Sequence, residues 1–168
     1  MNPTATATAT ATDVRAVPAD VLAALRQTDD AGRPVVPFTV EEEGGHPLRC
    51  CLTRARTGER IALVSYAPLR RWAAETGCDP GAYVETGPVF VHAEPCAGHP
   101  GGWPDAFHGA RRVLRAYAAD GRILGGRLTE PAELPAVAAE LLADPETAVL
   151  HVRAVEFGCF LHEVRRAG

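Results

Sequence analysis

The sequence predicts an α+β fold: a mostly antiparallel sheet of six or seven strands with about three short helices packed on one side or end. Two observations predict it. Short apolar runs of strand length are mostly linked as hairpins, and only three stretches carry helical spacing or helical punctuation. A chain of 168 residues is the size of one ordinary domain, long enough to bury a core without disulfides or a structural metal.

Residues 1–13 are largely an alternation of Thr and Ala, side chains too small to offset the entropy of being ordered. They read as a disordered tail before a single domain at 14–168, although alternation by itself also permits a weak strand. Pro18 to Thr28 places Val21, Leu22 and Leu25 at helical spacing, and Asp29-Asp30-Ala31-Gly32 ends that helix in a turn. Val35 to Glu41 reads as a strand that Pro37 pushes to a sheet edge. Leu48 to Thr53 and Ile61 to Tyr66 read as a hairpin closed by Thr57-Gly58-Glu59. Pro68 to Gly77 opens on proline and closes on glycine, as a short helix does. Val89 to Glu94 is the next strand, and Ala97 to Pro104 has too many breakers for anything but a loop. Arg112 to Ala118 and Arg122 to Leu128 flank Asp120-Gly121, the strongest hairpin signal in the chain. Pro131 to Ala143 carries Leu134, Val137, Leu141 and Leu142 on one helical stripe, and two strands, Ala148 to Val155 and Phe157 to Arg165, close the chain.

Composition excludes several chemistries. Every basic residue is Arg, so neither a Lys Schiff base nor a P-loop phosphate site is available. Ser65 is the only serine and lacks the glycines of a nucleophile elbow. The net charge of −4, with Arg spread along the chain, gives no nucleic-acid footprint. No apolar run reaches bilayer-spanning length and the amino terminus fails the pattern of an export signal, which predicts no membrane association and a cytoplasmic location. Thiols there stay reduced, and Cys50, Cys51, Cys78, Cys96 and Cys159 are odd in number and contain no CxxC pair.

On the strand through Val91, a period of two puts Phe90, His92 and Glu94 on one face with Cys96 at its exit. His92 and Glu94 would form an acid/base pair and Cys96 a nucleophile, against the plainer alternative that this face meets solvent. His-Ala-Glu and Pro-Cys are also fragments of the zinc deaminase signature, but the spacing of its cysteines is missing. A second set consists of His151 with Arg153, Arg115 with Tyr117, and Arg49 with Cys51, each pair sharing a strand face. If the faces converge, the guanidiniums make a pocket for a small anionic metabolite; otherwise each Arg pairs with a surface carboxylate. No local spacing specifies a cofactor or a metal; a metal, if bound, would draw on His92, Cys96, His151 and Cys159. In the long loop, His99 and Trp103 are the side chains suited to cover a pocket.

Pro47-Leu48-Arg49-Cys50-Cys51-Leu52 with Thr57-Gly58-Glu59-Arg60 and Ser65-Tyr66, then Gly87-Pro88-Val89-Phe90-Val91-His92, Arg115-Ala116-Tyr117 through Asp120-Gly121-Arg122-Ile123, and His151-Val152-Arg153 with Gly158-Cys159-Phe160, occur in one order. Together they resemble a bacterial family, domain of unknown function twelve hundred and three, over about Pro34 to Arg165. The resemblance implies a bacterial single-domain protein and brings no reaction, substrate or cofactor. The functional expectation from the residues is a cofactor-independent enzyme acting on a small anionic metabolite by His/Glu acid-base chemistry, with a Cys nucleophile. The alternative is a noncatalytic binding or accessory protein that uses an Arg-lined pocket, or a strand edge that pairs with a second copy as a homodimer.

Overall fold

The computed structural model describes residues 9–107 and 109–168, so the first eight residues of the expected tail lie outside the described residues. Among the described residues, the strands form two five-stranded sheets in place of one sheet of six or seven. The first runs in the order β1 (Thr12–Arg15), β10 (Phe160–Arg166), β9 (Thr147–Ala154), β7 (Arg112–Ala118), β8 (Ile123–Thr129), and its pairings are antiparallel. The second runs β2 (Phe38–Thr39), β5 (Arg60–Tyr66), β6 (Gly87–His92), β3 (Pro47–Leu48), β4 (Thr53–Arg54), and β3 lies parallel to β6. The three helices are α1 (Ala19–Leu25), α2 (Pro68–Thr76) and α3 (Leu134–Ala143). None of them is long and apolar enough to cross a membrane.

The expected end of the tail is ordered, because Thr12 and Asp13 open β1 and pair with Arg166 and Arg165. The expected hairpin of Leu48–Thr53 with Ile61–Tyr66 does not form. Residues 49–52 make a tight turn with Leu52 at φ 57°, so β3 and β4 pair with each other, while β5 pairs with β2 and β6. A short apolar run has no period long enough to distinguish a buried strand from a buried turn, and this one is a turn. The other expectations are close: β7 and β8 form the hairpin around Gly121, α2 ends at Gly77 with φ 76°, and β2 lies at a sheet edge. Gly121 is also required sterically, since a Cβ there would lie 2.6 Å from Pro80 Cβ.

Apolar burial positions the layers. Ala62, Val64, Val89 and Val91 of the second sheet pack on Leu22 and Leu25 of α1 and on Phe160 of the first sheet. Leu114, Ala116, Leu150 and Val152 of the first sheet pack against Leu134, Ala138 and Leu142 of α3. Its other face sets Tyr117 and Val149 against Leu69 and Trp72 of α2.

Two acidic residues fasten the turn after α1 to the second sheet. Asp29 accepts the backbone N–H groups of Ala31, Arg33 and Ser65. The Asp30 side chain is buried at the start of α2, where it accepts the Ala67 N–H at 2.8 Å and the Arg71 guanidinium at 2.7 Å. Truncating Asp30 leaves a charged group and a helix-start N–H without their acceptor. We expect Asp30→Ala to lower stability by about 2–3 kcal/mol in urea unfolding, with Asp30→Asn intermediate.

Candidate metal-thiolate site

The turn at residues 49–52 carries Cys50 and Cys51 beneath the end of β6. The parallel register of Leu48 with Phe90 fixes its position, and the Arg49 N–H extends it by donating to Phe90 O at 2.9 Å. The His92 N–H then donates to Cys50 Sγ at 3.3 Å. From the position just after α1, the Arg26 side chain donates to His92 O at 3.0 Å and holds the same end of the strand.

These constraints bring four donor residues together: Cys50, Cys51, His92 and Cys96, with ligand atoms within 4.8 Å of one another. The two sulfurs of the turn are 3.9 Å apart, and His92 Nδ1 is 3.4 Å from Cys50 Sγ and 3.9 Å from Cys51 Sγ. The other ring nitrogen, Nε2, is 3.6 Å from Glu59 Oε2. A carboxylate behind the imidazole selects the tautomer that leaves Nδ1 as a lone-pair donor toward the sulfurs. Thr53 Oγ1 lies 3.1 Å from Cys51 Sγ. Cys50 and Cys51 are buried, His92 is partly buried, and Cys96 is exposed on the following loop.

The two neighbouring thiols share one proton unequally. The hydrogen bond from Cys50, with further help from Thr53 and His92 against the effect of burial, holds Cys51 below its ordinary value. That same proton-donating bond, together with burial, pushes Cys50 well above its ordinary value. In the metal-free centre the proton therefore stays with Cys50 and negative charge develops first on Cys51.

The structure separates residues that the sequence grouped. Glu94 points to Arg60, 2.5 Å away, and it is Glu59 that faces the His92 ring. Of the metal set His92, Cys96, His151 and Cys159, the first two join the cluster. His151 instead lies fully buried on β9 against the rings of Tyr117 and Phe160, at 4.7 and 5.1 Å. Cys159 sits at the start of β10 beside Phe157. The faces of Arg115, Tyr117, His151 and Arg153 do converge, but Glu85 already pairs with both guanidiniums. Arg49 stands apart from them, donating to Phe160 O and Pro47 O. Trp103 packs against His162, and His99 bonds Gly102 within its own loop. Sequence reasoning missed Cys50, Cys51 and Glu59 as neighbours of His92, because they reach it through the long-range β3–β6 and β5–β6 pairings.

Two outcomes follow from these environments. In metal-free protein carrying Cys96→Ser, thiolate absorbance near 240 nm should rise in a step below the pH range in which a free thiol ionises. That step should vanish in Cys51→Ala and move upward in Thr53→Val. The His151 ring is held well below its usual 6.5 by burial and by Arg153, Arg115 and Arg165. The unfolded chain therefore takes up that proton first, so this contribution to stability is complete above about 6.5 and is lost as the pH falls. His151→Phe should flatten the decline in Tm between about pH 6.5 and 4.5.

No curated protein and no solved structure matches the chain significantly. The family model described as Protein of unknown function (DUF1203) matches residues 45–166, a span that contains all four donor residues, and the chain belongs to that family.

Proposed function

We propose that the protein holds zinc through Cys50, Cys51 and His92, with Cys96 as an exchangeable fourth ligand, and acts on a small metabolite as an enzyme. The observation that carries this reading is the convergence of four donor atoms within 4.8 Å. Tetrahedral zinc with bonds of about 2.3 Å to sulfur and about 2.0–2.1 Å to nitrogen requires S···S near 3.8 Å and S···N near 3.6 Å. The separations of 3.9, 3.4 and 3.9 Å lie close to those values. Thiolate with imidazole suits zinc and disfavours magnesium or calcium, which take oxygen ligands.

The surrounding groups support the same reading. Glu59 orients the His92 ring, while the His92 N–H and the Thr53 hydroxyl hold the sulfurs. Three inner donors with an exposed fourth resemble centres that open a position for substrate or water, where zinc supplies Lewis acidity or an activated water.

A second reading keeps the site free of metal. His92 Nδ1 faces both sulfurs and Nε2 faces Glu59, which is the order of nucleophile, base and orienting carboxylate in thiol enzymes. Elemental analysis of protein purified without chelator separates the two readings. We expect about one zinc per chain, retained in Cys96→Ser but released to chelator at least tenfold faster, and less than about a tenth of it in Cys51→Ser or His92→Ala. Wild-type protein that takes up no zinc even after reconstitution overturns the metal reading and leaves the thiol reading.

A further inference from the structure

A separate cavity of about 400 Å³ opens between the two sheets, away from the four donor residues. Arg49 from the β3–β4 turn, Arg54 from β4 and Arg112 from the start of β7 all line it. Arg49 is 3% exposed and Arg112 6% exposed. Their side chains donate to main-chain carbonyls: Arg49 to Phe160 and Pro47, Arg112 to Phe107 and Arg111, Arg54 to Gly44. Among the described residues, no carboxylate lies within ion-pair distance of any of the three. Arg115 and Arg153 differ in this respect, since Glu85 answers both.

Burying guanidinium groups without a counter-charge is unfavourable, and carbonyl dipoles compensate it only in part. Arg54 repels both Arg49 and Arg112, and Glu156 offsets part of that charge at Arg112. Glu156 is the one carboxylate on the wall, which leaves the cavity with a net excess of two positive charges. The rest of the wall is apolar, with Phe90, Phe107, Phe157 and Leu63. The volume is that of a small-molecule site, and a fork of guanidiniums beside aromatic walls suits an anionic head on an apolar body.

We infer that this cavity binds a phosphate monoester with an apolar or aromatic body, the dianionic head held by Arg49, Arg54 and Arg112 and the body by the phenylalanines. The inference is independent of the metal reading, because neither His92 nor any of the three clustered cysteines lines the cavity.

The probe is phenyl phosphate, titrated calorimetrically into the full chain, with inorganic phosphate and benzoate as comparisons. We expect a dissociation constant below about 1 mM, with both comparison anions weaker by about tenfold or more. Arg54→Gln, at an exposed position, should weaken binding at least fivefold with an unchanged near-ultraviolet circular dichroism spectrum. Arg112→Gln should weaken it further if it folds. His92→Ala, which disrupts the thiolate centre, should bind phenyl phosphate as the wild type does; loss of binding there would assign the anion to the metal centre and overturn the inference. Absence of binding at about 10 mM, equal affinity for benzoate or inorganic phosphate, or undiminished binding by Arg54→Gln would each overturn it as well.

Discussion

Arg49 hydrogen-bonds to both sheets at once and so fixes one against the other. Its backbone N–H continues the parallel ladder to Phe90 and its carbonyl accepts the Val17 N–H, so the strand turn, β6 and the segment before α1 share one residue. Its side chain crosses to the other sheet and donates to Phe160 O, while a second nitrogen closes back onto Pro47 O. A buried guanidinium is an expensive joint, and even with its charged form disfavoured by burial it stays ionised near neutral pH, at about 10. What the expense secures is geometry: with Arg49 fixed, Cys50 and Cys51 follow at a set depth below His92.

That dependence explains why two adjacent cysteines can serve one centre. In an extended strand, successive side chains point to opposite faces. The left-handed Leu52 and the turn before it abolish the alternation, so both sulfurs address the same imidazole. A nonglycine residue at positive φ is held there by its surroundings, and Leu52 is almost wholly buried in the core beside α3. Apolar packing and the reactive centre thus act on the same four residues from opposite sides.

The parts of the fold that were legible in the sequence are those punctuated locally. Pro68 and Gly77 bound α2, the apolar stripe of Leu134 and Leu142 marks α3, and Asp120-Gly121 marks the β7–β8 hairpin. The division into two sheets was not legible, because it depends on β6 inserting between β5 and β3, a choice made by long-range pairing with no local signature. The site divides in the same way. His92 and Cys96 are close in sequence and were read together, whereas Cys50, Cys51 and Glu59 reach them only through that insertion. Arg115, Tyr117, His151 and Arg153 were read onto shared faces correctly, but Glu85, which occupies the space between the guanidiniums, comes from a different segment.

The family match begins at residue 45, yet the folded unit begins earlier. β1 supplies the outer strand that covers β10, and Leu22 and Leu25 of α1 fill the hollow behind Val64 and Val91. Arg26, at the end of α1, holds the main chain of His92. The stretch shared by descent and the stretch that must fold together are therefore different lengths of the same chain. The matched span thus stops short of three parts of this chain that hold it in place: a strand that covers one sheet edge, a helix that closes one core and an arginine that steadies the main chain of one histidine.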